Sequence, residues 1–420
     1  MDVLKRLAAL VFGLASAAVP AEEILKLPIG DAARKDREAP VVLDAITDTS
    51  SGALLTPADL PGKLSDVRLV LVGEEHIGMD FHRVEKRVIE GLDRSGRRVM
   101  IGLEMYPYPE QKWLDDWTDG KVPEEAFLDS WYRNWGYNWL YYRDIFLYAR
   151  DHRLRMFAVN APPSIVGKVR QKGFESLTPE EAAHIPKQID TKSPDHLRLF
   201  KASFDEEASF HMGGSDAQWQ AMLNAQCTWD ATMAWNAAAP IAKDPDPKAV
   251  MVVLAGMGHV QYGLGIERQA KQWYAGRIAS VIPVEVEDEK KGPVKSVQAS
   301  YANFVWGVPG EVGSLYPDLG LANHVRPDRR LEVLDVEKDT PASAAGFQVG
   351  DLLLTMDGVD LVNRETLARL VAGKRWGDAA AFTVKRNEET VPLPVVFRRV
   401  VKEKKDEKAK AEAPPAAPKP

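Results

Sequence analysis

Residues 67–76 read Val-Arg-Leu-Val-Leu-Val-Gly-Glu-Glu-His, an apolar run that ends in a glycine, two carboxylates and an imidazole. The next apolar residues recur at the spacing of one helix face: Phe81, Val84, Val88, Ile89 and Leu92. A buried strand followed by an amphipathic helix is the repeating unit of α/β proteins, whose strands are mainly parallel. This stretch therefore predicts a strand, a polar turn and a helix.

Similar apolar runs occur at residues 98–103, 156–159, 249–254 and 278–284, with stretches of helical spacing between them. We therefore predict an α/β fold over residues 30–309, with a mainly parallel sheet flanked by helices. Polar residues follow the strand ends, in Gly-Leu-Glu-Met, Asn-Ala-Pro and Gly-Met-Gly-His. Because ligands of open α/β sheets bind outside the carboxyl ends of the strands, we expect one shared polar site. Its members are Glu74, His76, Glu104 and His259.

Two imidazoles and two carboxylates suit zinc or another transition metal. The single cysteine, Cys227, excludes sites that need several thiolates. One hypothesis is therefore that Glu74, His76, Glu104 and His259 bind a divalent ion. The catalytic residues would then be Glu74, Glu75 and Glu104, with Glu75 or Glu104 activating a metal-bound water for hydrolysis.

Aromatic residues are concentrated between Tyr106 and Tyr148, which hold seven of the 11 tyrosines and five of the 11 tryptophans. Trp131, Trp135 and Trp139 repeat every four residues, which predicts a helical insertion with the three rings on one face. Asp129-Ser130 is its expected N-cap. The aromatic residues either pack this insertion onto the sheet or form a flat apolar wall for a planar macrocycle.

The motifs quoted above, together with Gly-Met-Gly-His-Val-Gln-Tyr-Gly-Leu-Gly-Ile at residues 256–266, resemble the ChaN-like haem-binding uptake family. This family belongs to the Tiki/TraB/erythromycin-esterase superfamily, and the resemblance covers most of residues 40–309. It implies haem binding and iron uptake, and it is compatible with a homodimer. The candidate axial ligands are His76, His82, Tyr106, Tyr108, His211 and His259. The candidate cation for the haem propionates is Arg133. Metalloprotease and esterase relatives use the Gly-x-x-His motif catalytically, which keeps the hydrolase hypothesis open.

Residues 310–400 resemble a PDZ domain of the bacterial protease-associated kind. The similarity lies in Pro-Ala-Ser-Ala-Ala-Gly-Phe at 341–347, in the strand at 350–354, in the Asp357-Gly358 hairpin turn and in a helix that begins near Thr366. Leu319, Gly320 and Leu321 match the loop that binds a peptide carboxylate. A docked peptide would add a strand to the sheet edge.

The two ends of the chain are not expected to belong to the fold. Residues 1–21 read as a signal peptide, with Lys5 and Arg6 before a 13-residue apolar run, and residues 401–420 as a disordered tail. We expect a periplasmic or extracellular protein without a membrane span. A lipoprotein is not expected, because no cysteine follows the apolar run. A net charge of −7 argues against nucleic-acid binding.

Three functions remain open from the sequence. The favoured one is an exported haem-binding, iron-uptake protein that docks a protein or peptide C-terminus through its PDZ domain. The second is a divalent-metal-dependent peptidase or esterase that uses Glu74, His76 and His259. The third is a non-catalytic PDZ scaffold.

Overall fold

The computed structural model describes residues 24–204, 215–288, 292–311 and 313–399. The predicted signal peptide and tail lie outside these ranges. The chain divides into two compact units, with the boundary in the sequence between Leu315 and Tyr316 and with Arg364–Arg369 grouped with the first unit. Within the described residues, no helix combines the length and the apolar character needed to cross a bilayer.

The first unit is built around one large sheet and two small ones. Its strands in chain order are β1 (Glu38–Pro40), β2 (Ile46–Asp48), β3 (Ala53–Leu55), β4 (Leu69–Glu74), β5 (Val99–Pro107), β6 (Arg155–Asn160), β7 (Val250–Gly256), β8 (Ile278–Glu285), β9 (Glu287–Asp288), β10 (Gly292–Pro293), β11 (Ser296–Gln298) and β12 (Phe304–Val308).

The large sheet has the strand order β3-β2-β12-β8-β4-β7-β5-β6. All pairs from β12 to β6 are parallel, whereas β2 and β3 pair antiparallel at one edge. The five predicted strands are β4 to β8, so the prediction of a mainly parallel sheet is confirmed. The residues of β2 and β3 were not predicted as strands, because three-residue strands carry too little periodicity to be recognised.

Helices cover both faces of this sheet. They are α1 (Leu60–Lys63), α2 (Met79–Arg94), α3 (Gln111–Thr118), α4 (Glu124–Asn134), α5 (Arg143–Asp151), α6 (Pro163–Lys172), α7 (Pro179–Ala182), α8 (Pro194–Ala202), α9 (Asp216–Lys243), α10 (Met257–Val260) and α11 (Ile266–Ala270).

Two helices position the groups at the strand ends. In α2, the predicted stripe of Phe81, Val84, Val88, Ile89 and Leu92 is buried, which confirms the amphipathic helix. The 28-residue helix α9 begins at a capping box formed by Ser215 and Gln218. Its apolar side joins the same core as β4 and β7. Both helices are therefore anchored to the strands that carry the polar residues.

The aromatic insertion is built differently from the predicted single stripe. Helix α4 begins after Pro123 and ends at Asn134, so Asp129 and Ser130 lie inside the helix and the predicted N-cap is wrong. Trp135 is extended, and Trp139 begins a separate 3-10 turn at Trp139–Tyr141. The prediction of three tryptophans on one helix face is therefore wrong. Gly136 and the capping residue Asn138 favour the break between these segments.

The rings nevertheless converge by tertiary packing. The centroids of Trp131 and Trp139 lie 5.0 Å apart, and both rings contact Phe146. Trp117 and Phe127 complete this aromatic core, with centroids 4.6 Å apart. The structure thus favours core packing for most of the aromatic residues in the insertion.

The second unit is a small β-rich domain. Its elements are β13 (Leu321–Val325), β14 (Leu331–Val336), α12 (Pro341–Ala345), β15 (Leu352–Met356), β16 (Val359–Asp360), α13 (Arg364–Ala372), β17 (Ala379–Arg386) and β18 (Glu389–Val396). The sheet is antiparallel, in the order β13-β14-β15-β17-β18, with β16 paired to β15. Asp357 and Gly358 both have positive φ, as the predicted hairpin turn requires.

Candidate functional site

Three neighbouring strands bring the polar residues to one edge of the large sheet. β4 ends at Glu74, β5 carries Glu104 towards its end, and β7 ends at Gly256, shortly before His259. These strands are parallel in the order β4-β7-β5, so their carboxyl ends lie together. The backbone N–H of Gly256 donates a hydrogen bond to Oε2 of Glu104 at 2.6 Å, which joins two of the ends.

His76 is a partly accessible imidazole at this edge, with 27% of its side chain exposed. Its Nδ1 lies 2.7 Å from Oε1 of the buried Glu74. Two aromatic rings pack beside it, with the centroid of Trp135 at 4.9 Å and that of Tyr137 at 4.8 Å, and with 5.3 Å between these two rings. Burial opposes a charge on His76, but Glu74 and Glu104 outweigh burial and raise the pKa of the imidazole. One carboxylate therefore orients an imidazole that reaches solvent beside two aromatic rings.

The position of the His76 imidazole explains why residue 256, the first residue of the Gly-Met-Gly-His motif, is a glycine. A Cβ added to Gly256 would lie 2.9 Å from Cε1 of His76, closer than van der Waals contact allows. Glycine at the end of β7 therefore lets the two histidine motifs approach each other.

His259 is held by a carboxylate that the sequence analysis did not identify. Its Nδ1 lies 2.6 Å from Oδ1 of Asp230 in α9, and its Nε2 lies 3.4 Å from Oε1 of Glu104. Burial opposes a charge on His259, but Glu104 and Asp230 raise its pKa to about 10. Burial likewise opposes a charge on Glu104, yet His259 lowers the pKa of this carboxyl. His259 thus lies between two carboxylates that favour its protonated form.

A second imidazole near Glu74, that of His82, is only 2% exposed. Its Nδ1 lies 2.9 Å from Oε2 of Glu85 and 3.2 Å from Oε2 of Glu74. Its Nε2 lies 3.3 Å from the carbonyl oxygen of His76. Tyr142 donates to Oε1 of Glu74 at 2.7 Å, and its ring centroid lies 4.2 Å from that of His82. Both nitrogens of His82 therefore face oxygen atoms inside the protein.

Burial and charge act against each other in this group of residues. Burial would raise the pKa of Glu74, but His82 and His76 hold it well below its usual range. Burial and the charge of Glu74 together raise the pKa of Glu85 well above its usual value. Burial opposes a charge on His82, but Glu74 and Glu85 raise its pKa to about 10. Glu74 is therefore the ionised carboxylate around which the other groups are arranged.

The four residues expected to bind one metal ion lie along this edge as two pairs. Glu74 contacts His76, and Glu104 contacts His259. Among the residues that the structure describes, the four do not form a group whose ligand atoms all lie within 4.8 Å of one another. Two other groups in that part of the chain do so, namely Glu74, His82 and Glu85, and His196, Cys227 and Asp230.

The group around Cys227 already contains a cation. Nη2 of Arg268 lies 3.1 Å from Nδ1 of His196 and 3.5 Å from Sγ of Cys227. Nε2 of His196 lies 3.8 Å from Oδ2 of Asp230. Burial lowers the pKa of His196 to about 4 and raises that of Cys227 to about 12. A neutral imidazole and a thiol therefore accept hydrogen bonds from the guanidinium.

The two tyrosine candidates for haem ligation lie in different surroundings: Tyr106 is buried, whereas Tyr108 is partly exposed. Tyr106 is fully buried, with its ring centroid 6.1 Å from that of Phe127. The Tyr108 hydroxyl contacts Nδ1 of His184. His211 lies outside the described residues.

The charged candidates are surface groups. Arg133 is exposed in the last turn of α4, shortly before Trp135, and Glu75 is exposed beside His76. Two other arginines are paired with carboxylates: Arg143 of the insertion with Glu124 at 2.6 Å, and Arg155 at the start of β6 with Asp115 at 2.8 Å.

The predicted carboxylate-binding loop precedes the edge strand of the second unit. Leu319 is buried, Gly320 has a φ of +73°, and Leu321 begins β13, which pairs only with β14 among the described strands. The N–H of Gly320 donates to Oδ1 of Asp318 at 3.1 Å. A Cβ on Gly320 would lie 2.3 Å from Cβ of Thr340, so this position requires glycine.

Sequence reasoning missed Glu85, Asp230 and Tyr142. Two of them carried a usable signal. Glu85 follows His82 by three residues on α2, the spacing of one helix face. Asp230 is a single carboxylate within a long apolar stretch of α9, where an unpaired charge would be costly. Nothing in the sequence separates Tyr142 from the neighbouring tyrosines.

A family model described as haem-binding uptake, Tiki superfamily, ChaN, matches residues 60–269, which is half of the chain. The chain belongs to this family. A PDZ-domain model matches residues 317–396, so the second unit is a PDZ domain. Both predicted resemblances are therefore confirmed.

Solved structures give more distant likenesses. One, titled "Cofacial heme binding to ChaN of Campylobacter jejuni", is 15% identical, with a TM-score of 0.46 over 64% of this chain and 96% of that chain. A serine endoprotease from Yersinia pestis is 21% identical, with a TM-score of 0.19 over 21% of this ChaN-family chain and 31% of that chain. The HtrA-type protease AlgW with decapeptide is 23% identical, with a TM-score of 0.19 over 20% of this chain and 29% of that chain. No curated protein matches the chain.

The buried neutral His196 predicts a pH-dependent loss of stability. Its pKa is about 4 in the folded chain and about 6.5 when unfolded, so the unfolded chain binds more protons between these pH values. Lowering the pH from 7 to 5 should therefore cost about 2 kcal/mol through this residue. In urea unfolding, we expect His196→Asn to remove that part of the pH dependence. His152→Asn, at a side chain 45% exposed, is the control and should follow the wild type. Equal pH dependence in all three proteins would contradict the assignment.

Proposed function

We propose that this chain is an exported haem-binding protein of iron uptake, which docks a peptide or protein C-terminus through its PDZ domain. Membership of the ChaN-type family supports the haem-binding part. Export is proposed from the basic and apolar character of residues 1–21.

The observation that carries the haem proposal is the surroundings of His76. Haem requires an axial ligand next to apolar or aromatic surface. The Nδ1 of His76 faces Glu74 at 2.7 Å, which leaves Nε2 as the nitrogen for iron. Trp135 and Tyr137 lie on one side of the imidazole, with their own ring centroids 5.3 Å apart, and would contact the porphyrin. A carboxylate that holds the other ring nitrogen is the usual way in which a metal-binding histidine is oriented.

The other candidate ligands fit less well. His82 has both nitrogens facing buried oxygens, and Tyr106 is fully buried in the aromatic core. His259 lies between Asp230 and Glu104, with 11% of its side chain exposed. Iron bound at any of these would require groups to separate that are now in contact. The propionates would need a cation, and the exposed Arg133 is the candidate nearest in sequence to Trp135.

Haem binding is favoured over metal-dependent hydrolysis by the arrangement of the four strand-end residues. Glu74 with His76 and Glu104 with His259 form separate carboxylate–imidazole pairs. A hydrolytic ion would need at least three protein ligands converging on it, with a position open for water. Haem needs one accessible imidazole, and His76 supplies it.

Haem titration tests the axial ligand directly. We expect the purified protein to give a shifted Soret band that saturates as the His76 sites are filled. His76→Ala should weaken haem binding at least tenfold. Trp135→Leu should weaken it by about three- to tenfold, since an aromatic contact contributes about 0.5–1.5 kcal/mol.

Two control variants separate ligation from general damage. Tyr106→Phe removes only a buried hydroxyl and His152→Ala removes a remote imidazole, so both should bind haem as the wild type does. A full-strength Soret shift in His76→Ala would contradict the proposal, as would loss of the shift in Tyr106→Phe.

The PDZ domain supports docking of a chain terminus. β13 is an edge strand preceded by the Leu319-Gly320-Leu321 loop, so an added peptide strand would place its carboxylate beside the loop N–H groups. Asp318 faces the same loop through its contact with the N–H of Gly320. A peptide carboxylate would compete with this side chain.

Replacing Asp318 tests this placement. We expect Asp318→Asn to bind peptides with free C-terminal carboxylates about three- to tenfold more tightly than the wild type, because a repelling charge next to the loop is removed. Fluorescence anisotropy with a C-terminal peptide library measures the affinity. The same peptides carrying C-terminal amides are the control and should bind neither protein well. Equal affinity for acid and amide peptides would show that the loop does not bind the carboxylate.

A further inference from the structure

We propose that Glu74, His82 and Glu85 bind a first-row transition-metal dication inside the first unit, at a site separate from the haem-binding face of His76. This inference does not depend on haem binding. It assigns a function to two buried residues, His82 and Glu85, that the haem proposal leaves unused.

The distances between the three side chains fit a shared ion. Nδ1 of His82 lies 2.9 Å from Oε2 of Glu85 and 3.2 Å from Oε2 of Glu74. Two ligands that are each about 2.1 Å from an ion lie about 3.0 Å apart at a right angle and about 3.4 Å apart at the tetrahedral angle. The observed separations therefore match neighbouring ligands of one ion.

Two carboxylate oxygens of this cluster accept no hydrogen bond, although Nδ1 of His82 lies 3.2 Å from one of them. Oε2 of Glu74 and Oε1 of Glu85 are both buried without a hydrogen-bond partner. The side chains of both glutamates are fully buried, and that of His82 is 2% exposed. Burying an uncompensated carboxylate oxygen is costly. A dication that displaced the protons of His82 and Glu85 would bind these oxygens and balance the charges of the two carboxylates.

Neighbouring groups orient the ligands. The carbonyl oxygen of His76 lies 3.3 Å from Nε2 of His82 and would keep an N–H on that nitrogen. An ion that displaces the proton of Nδ1 would then bind the lone pair that faces the two glutamates. Tyr142 donates to the other oxygen of Glu74 at 2.7 Å. Metal-binding histidines and carboxylates are usually held by second hydrogen bonds of these kinds.

The ligands stand on rigid elements. His82 and Glu85 lie three residues apart on α2, and Glu74 ends the fully buried strand β4. Their relative positions are therefore fixed by the packing of α2 rather than by a loop. The loop of residues 75–78, which carries the partly exposed His76, contacts both Glu74 and His82. It offers an entry route from solvent.

The ligand set points to a class of metal. One imidazole with two carboxylates suits manganese, iron, cobalt or zinc, whereas Mg²⁺ and Ca²⁺ prefer all-oxygen sites. The other convergent group, around Cys227, is a poorer candidate because the guanidinium of Arg268 already lies within 3.5 Å of its sulfur.

Cobalt titration of the haem-free full chain tests the site. After treatment with a chelator, we expect the protein to bind one equivalent of Co²⁺, with d–d absorption bands and a higher midpoint of thermal unfolding. The isosteric Glu85→Gln variant should bind Co²⁺ about a hundredfold more weakly, because it removes a charged ligand. His152→Asn is the matched control, since it removes an exposed imidazole outside the candidate site, and it should bind as the wild type does.

X-ray absorption of the cobalt-loaded wild type gives a test that needs no variant. One imidazole within an otherwise oxygen-coordinated shell is the expected result, and it holds even if Glu85→Gln fails to fold. Two imidazoles in the shell would overturn the proposal. Absence of Co²⁺ binding, loss of binding in His152→Asn or undiminished affinity in folded Glu85→Gln would do the same. None of these readouts involves the Soret band, so they remain distinct from the test of haem binding.

Discussion

A fully buried carboxylate at the end of β4 constrains the whole candidate site. Glu74 lies on a strand with no exposed residue, so its charge must be compensated by other protein groups. Three segments supply that compensation: the loop with His76, helix α2 with His82, and the aromatic insertion with Tyr142. Each segment is therefore tied to the sheet edge through one side chain. The same contacts orient His76 towards solvent and His82 towards Glu85.

The parallel sheet explains why so much of the site was visible in the sequence. Apolar runs predicted β4 to β8, and parallel strands must place their carboxyl ends at one edge. Glu74, Glu104 and His259 could therefore be grouped before any coordinates were known. The glycine at position 256 also has a physical explanation, because only a residue without a Cβ leaves room for the imidazole of His76. What the sequence could not show is how these residues pair, since pairing depends on side-chain geometry.

The parts that escaped sequence reasoning depend on tertiary packing. Trp131 and Trp139 pack together although the helix between them ends at Asn134. A four-residue repeat of tryptophans could not reveal that break, which Gly136 and Asn138 favour, because the rings meet by tertiary packing and not on one helix face. Asp230 and Glu85 were missed for a related reason. Each lies on a helix whose apolar pattern hides a polar contact to a distant strand end. The PDZ domain was easier to predict, since its turn residues Asp357 and Gly358 determine its local geometry.

The central claim, that the Glu74 charge organises the site, is tested most directly by a double-mutant cycle. Unfolding free energies would be measured by urea denaturation for the wild type, Glu74→Gln, Tyr142→Phe and the double variant, all without metal or haem. Because the Tyr142 hydroxyl donates to an ionised oxygen at 2.7 Å, we predict a coupling energy of about 1–2 kcal/mol between the two residues. Additive effects, with a coupling below about 0.3 kcal/mol, would contradict the account.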